Sequence, residues 1–184
     1  HLVGRVLIFS LYPFSFEEFL SYKKPDLYSV YIKNPISPAL VEMIFPLFQE
    51  FCLFGGYPSV VLAPDHEEKE VLLKNIYNTY LLKEIKEILN IPEDYKLSRL
   101  IHDLALQIGN MLNYNELSAI TGFSHRDLLK YLNILEKTFI VSRSRPFHTN
   151  KRTELVKTPK IFFFDNGFRN IILKNFQRLK DSLN

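Results

Sequence analysis

Apolar positions in this chain recur mostly at helical spacing, and only near Val141 and Ile161 does the pattern change to short β-prone runs. Ser15-Phe16-Glu17-Glu18 reads as a capping box, with Phe14 and Phe19 placed for a hydrophobic staple, so a helix is expected from Phe16 to about Tyr22. Lys23 to Asn34 is polar and contains proline, which predicts a loop. A second helix is predicted from Ser37-Pro38 to Gly55-Gly56, with proline at the first helical position and glycine past the end. Asp65 to Glu68 starts a third, long helix that Pro92 stops. Leu97, Leu100, Ile101, Leu104 and Ile108 mark a further amphipathic helix over Lys96–Ile108. The opening run Val6-Leu7-Ile8-Phe9, ended by Pro13, reads as a buried strand. The fold class predicted is mainly α with a small β component.

Between Asn113 and Phe147 the pattern becomes specific. Two short helical segments meet at Thr121-Gly122-Phe123-Ser124, where Gly122 suits a tight turn and Ser124 can cap the helix that follows. On that helix Leu128, Tyr131, Leu132 and Leu135 fall at i, i+3, i+4 and i+7, the spacing of one buried face. Phe139 to Arg145 and Lys160 to Phe164 are strand-like and would pair as a β-wing, joined by an unusually long loop over Pro146–Pro159. A winged helix-turn-helix is therefore predicted. Arg126, Lys130, Asn133 and Lys137 recur on the side opposite the apolar face and point outward. Such a stripe suits double-stranded DNA: Arg can pair with guanine, Asn with adenine, and Lys supplies charge to phosphates. Candidate contact residues are Ser124, His125, Arg126, Lys130, Asn133 and Lys137 on the helix, and Arg143, Arg145, Lys151 and Arg152 on the wing. A charged outer face that is merely solvated, or that docks on an acidic protein, is the competing reading.

The net charge of +3 is small, but its placement favours a polyanion. Ser124–Lys160 holds nine Lys and Arg against three acidic residues, whereas His1–Pro92 has eight basic residues against eleven carboxylates. Cys52 is the single cysteine, in an apolar run, which excludes an internal disulfide and reads as buried and inert. The five histidines lack ligand spacing, so no metal is expected. No phosphate-binding loop G-x-x-x-x-G-K-[ST] occurs, and no nucleophile is tied to a histidine. Asp165 follows an aromatic strand, a position where catalytic carboxylates occur, but capping of the next helix explains it more simply. No apolar run reaches the ~18 residues of a membrane span and no signal-peptide pattern opens the chain, so a cytoplasmic protein with no membrane partner is expected.

Several ordered motifs carry a family likeness. His1-Leu2-Val3-Gly4-Arg5, Leu11-Tyr12-Pro13-Phe14-Ser15-Phe16-Glu17-Glu18-Phe19 and Phe54-Gly55-Gly56-Tyr57-Pro58 resemble the segment just after the nucleotide-binding core of a prokaryotic family of AAA+-like ATPases. Tyr131 to Phe139, Arg145-Pro146-Phe147 and Pro159 to Asn170 resemble that family's C-terminal domain of unknown function. The resemblance implies a fragment with three parts. Residues 1–92 would be the end of the ATPase core and a helical lid-like segment, 93–165 the winged helix-turn-helix, and 166–184 the start of a truncated nuclease-like region. It implies that ATP and Mg are bound by the parent protein and not by this chain, which would hold no cofactor and perform no catalysis alone. It implies for Arg5 a role as γ-phosphate sensor or arginine finger. It also opens an alternative to DNA: a docking or oligomerisation module that meets other ATPase subunits.

Overall fold

The computed structural model describes residues 7, 9–91, 94–147 and 157–177. Helices dominate, with one small sheet. α1 (Phe16–Lys23) starts as the sequence predicts: the Ser15 hydroxyl accepts from the Glu18 N–H and the Glu18 carboxylate accepts from the Ser15 N–H. That bond holds the Glu18 carboxyl below the usual carboxylate range. α2 (Pro25–Lys33) occupies the stretch predicted to be a loop. Pro25 sits at the first helical turn, where its missing N–H costs nothing, and Asp26 and Lys33 complement the helix dipole at the two ends. α3 (Pro38–Phe54) is capped by Ser37 and stops at Gly55. α4 (Pro58–Leu62) is short. α5 (His66–Ile76), capped by Asp65, runs without interruption into a π-helical stretch, Tyr77–Ile85, and then α6 (Lys86–Leu89).

α7 (Asp94–Leu106), α8 (Tyr114–Thr121) and α9 (His125–Lys137) follow. α8 ends on Gly122 in the left-handed region, φ 71°, and Ser124 caps α9 by accepting from the Asp127 N–H at 3.1 Å. The turn between them is three residues long. β1 (Val141–Ser144) and β2 (Lys160–Phe163) pair antiparallel, Val141 opposite Phe163 and Ser144 opposite Lys160. The segment after α7 lies on the other edge of β2: Gly109 N–H donates to Ile161 O at 2.8 Å and Leu112 N–H to Pro159 O at 3.0 Å, with Met111 opposite Lys160. α10 (Asn166–Leu173), capped by Asp165, closes the described chain.

Of the five inward residues read from the α7 pattern, Leu97, Leu100, Ile101 and Leu104 have no exposed surface, while Ile108 lies past the end of the helix and is half-buried. They meet Leu117 of α8, Leu128, Leu132 and Leu135 of α9, Val141 and Ile161 of the sheet, and Phe168 of α10 in one cluster. Leu81, Ile85 and Ile91 belong to the same cluster, as does Ile172 of α10. A smaller cluster joins Leu53, Phe54, Val60 and Leu73 of α3, α4 and α5. At its edge the buried Lys69 ammonium pairs with Glu50 and lies 5.2 Å from the Phe54 ring centre. Leu7 and Phe9, read as part of a buried strand, are exposed, and Val6 and Ile8 lie outside the described residues.

Candidate functional site

α9 sorts its side chains as its periodicity requires. Leu128, Tyr131, Leu132 and Leu135 are buried, and Ser124, His125, Arg126, Lys130, Asn133 and Lys137 are exposed. Apolar packing holds the inner side of the helix, which leaves the side of Arg126, Lys130, Asn133 and Lys137 exposed. Ser124 and Asp127 are bonded to each other at 2.6 Å, and the His125 ring packs edge-on to Tyr114 at 5.3 Å. Leu129, 43% exposed, is the one large apolar residue on this outer face, among Arg126, Lys130 and Asn133.

The strand arginines separate. Arg145 is exposed at the end of β1. Arg143 is engaged: its Nε and Nη2 donate to Glu136 Oε2 at 3.0 and 2.5 Å, and its backbone N–H donates to Glu136 Oε1 at 3.1 Å. With its side chain only 14% exposed, Arg143 fastens β1 to α9 and brings little free charge to the surface. Arg5, Lys151 and Arg152 lie outside the described residues. The structure thus brings Arg126, Lys130, Asn133 and Lys137 together on one helix face, with Ser124 and His125 exposed at its N-terminal end.

A second constellation escapes the pattern reading. Asp165 caps α10, as expected, by accepting the Phe168 N–H at 2.8 Å, and it also reaches across the fold to accept the Gly56 N–H at 2.7 Å. It is 4% exposed. Burial pushes its carboxyl up to about 6, against the pull of backbone N–H groups from Gly56, Phe168, Gly167 and Tyr57. Gly55 makes this approach feasible: at φ 75° and ψ −162° it adopts a conformation reserved for glycine, and a methyl group there would overlap both Asp165 oxygens. Asn170 completes the junction by donating to the carbonyls of Cys52 and Leu53 at 3.0 and 2.9 Å, the orphan acceptors at the end of α3. The tandem glycines and Asp165-Asn166-Gly167 are the visible signal, but nothing in either motif alone tells that the two interlock. Every oxygen of Asp165 is committed to backbone donors, so this junction is structural rather than chemical. Cys52 is half-buried, and burial raises its thiol above the ordinary range.

Among the described residues no group of His, Cys, Asp and Glu could hold a metal ion, and no helix is long and apolar enough to cross a membrane. Residues 46–179 match a family described as Domain of unknown function (DUF8612). The chain belongs to this family. DUF8612 therefore covers α8, α9, both strands and the Asp165 junction, while α1 and α2 precede the matched region. An uncharacterised protein of Haemophilus influenzae is 30% identical over 173 residues, covering 91% of this chain and 40% of that protein. The uncharacterised protein MJ1544 of Methanocaldococcus jannaschii is 24% identical over 193 residues, covering 99% of this chain and 41% of that protein. The chain thus spans about two fifths of the length of the curated relatives it matches. No solved structure matches it.

Proposed function

We propose that this DUF8612 chain carries a winged helix-turn-helix that binds double-stranded DNA through the outer face of α9. The observation that carries the reading is the exposed stripe of Arg126, Lys130, Asn133 and Lys137 on a helix whose opposite face is wholly buried. The order α7, edge segment 109–112, α8, α9, β1, β2 supports it, because this is the order in which a winged helix presents its second helix to the major groove. Of the aromatics whose exposure would favour a protein partner, Phe163 and Phe168 are buried and Phe162 is 39% exposed, which leaves protein docking as the second reading. In this reading the module belongs to a larger AAA+-like protein, whose ATP and Mg lie elsewhere. The motif likeness alone supports that placement; the relatives show only that the chain is part of a longer protein in their case. Neither the family description nor the relatives' names state an activity.

The test is a salt titration of binding to a mixed-sequence duplex by fluorescence anisotropy. If Arg126, Lys130 and Lys137 meet phosphates, log K falls linearly with log salt, and each Arg or Lys→Gln change flattens the slope by about 0.9. Asn133→Ala weakens binding without changing the slope, because a base-edge contact releases no counterion. Binding whose salt dependence ignores all three basic residues refutes the assignment.

A further inference from the structure

α2 has no fully buried residue: Leu27, Tyr28 and Tyr31 are half-buried on its inner side, and Val30 and Ile32 are exposed. An amphipathic helix normally gains its stability by burying its apolar face, so this one lacks a partner for part of its surface. Val30 is 47% exposed and Ile32 54%, and across a groove of about 760 Å³ α3 presents Met43, Pro46 and Leu47, Met43 being 62% exposed. Lys24 and Asp26 stand at the groove's rim.

The outward stripe of α2 is Asp26, Ser29, Val30 and Lys33, all exposed and spaced i, i+3, i+4 and i+7. This stripe is complementary to itself when reversed. Laid antiparallel on a second α2 about a two-fold axis between Ser29 and Val30, Asp26 faces Lys33 of the second copy, Lys33 faces its Asp26, and Ser29 faces its Val30. A parallel arrangement would set Asp26 on Asp26 and Lys33 on Lys33, so charge selects the antiparallel one. Ser29 can be covered without a new partner, because its hydroxyl already donates to the Pro25 carbonyl at 3.1 Å.

We propose that the α2 face and the adjoining α2–α3 groove form a self-association surface whose occupant is a second copy of this chain. The contact is isologous, the closed two-fold arrangement in which each ion pair occurs twice. It is independent of the DNA reading, since α2 and α9 share no contact surface in the proposal. Sedimentation velocity of the 184-residue chain, from low to high micromolar concentration, tests it. The wild type forms a dimer. Asp26→Lys or Lys33→Asp alone raises the dissociation constant by about tenfold or more, because each turns both symmetry-related ion pairs into like-charge pairs. The double change Asp26→Lys/Lys33→Asp returns association to near the wild-type constant, and Val30→Glu abolishes it while the circular dichroism spectrum stays unchanged. A wild type that stays monomeric throughout overturns the proposal. So does a double swap no better than the single ones, or association that survives Val30→Glu.

Discussion

Replacing Gly55 with alanine should be far more damaging than its solvent-shielded but otherwise ordinary position at the end of a helix would suggest. Two costs add. The backbone conformation, φ 75° and ψ −162°, penalises any side chain by ~1–3 kcal/mol. The new methyl also overlaps both Asp165 oxygens, so the carboxylate must withdraw and leave the buried N–H groups of Gly56 and Phe168 short of an acceptor. Each such orphan costs ~1–3 kcal/mol. Gly109 is the control. It has φ 78°, but an added methyl would meet no atom within 4 Å, so Gly109→Ala carries only the conformational cost, ~1–2 kcal/mol. The excess for Gly55→Ala, two such orphans, is therefore ~2–6 kcal/mol. Urea unfolding followed by circular dichroism reads this as a midpoint lower by about 1–3 M than that of Gly109→Ala, for an m-value near ~2 kcal/mol/M. In an Asp165→Ala background the oxygens are gone, and Gly55→Ala should then cost no more than Gly109→Ala, a non-additivity of at least ~1 kcal/mol. Equal midpoints for the two glycine variants, or additive behaviour in the double mutant, would refute the interlocking of the two motifs.

Other consequences follow from named contacts. Since burial raises Asp165 from 3.8 to about 6, the folded chain holds this proton more tightly than the unfolded one; the stabilisation is complete below pH 3.8 and lost as pH rises through about 6. The loss is ~3 kcal/mol, and the difference between wild type and Asp165→Asn in urea midpoint across that window measures it. Arg143→Gln should loosen β1 and weaken DNA binding while leaving the salt slope within ~0.3 of wild type, because Glu136 already neutralises that charge. Lys69→Met leaves Glu50, whose side chain is 24% exposed, with the Lys23 ammonium at 3.7 Å, at a cost of ~1–2 kcal/mol that Lys69→Met/Glu50→Gln partly recovers in thermal melts. Ser124→Ala removes the cap of α9 and lowers stability by ~1 kcal/mol in the same melts.

Local chemistry is legible wherever a short-range rule acts alone. The Ser15, Ser37, Asp65, Ser124 and Asp165 caps, the Gly122 turn, the inward face of α9 and the pairing of Val141–Ser144 with Lys160–Phe163 all follow from spacing and residue type. α2 is hard to foresee because its helix signals, Pro25 at the first turn and charges at the two ends, compete with a polar, proline-containing composition that reads equally well as a loop. The pairing of Glu136 with Arg143 is hidden because a charge on a strand looks free until its neighbour across the turn is known. The junction between Gly56 and Asp165 joins residues 109 positions apart, and no periodicity reports a contact at that range. The outward stripe of α9, by contrast, is readable from the apolar face it opposes.

An amide chemical-shift titration of the chain with a mixed-sequence DNA duplex locates the interface residue by residue. Perturbations are expected in Ser124–Lys137 and in β1, strongest at Arg126, Lys130 and Asn133, and lost on Arg126→Gln/Lys130→Gln. Shifts that map to another surface, or none at concentrations where a helix-turn-helix holds non-specific DNA, would contradict DNA binding through α9.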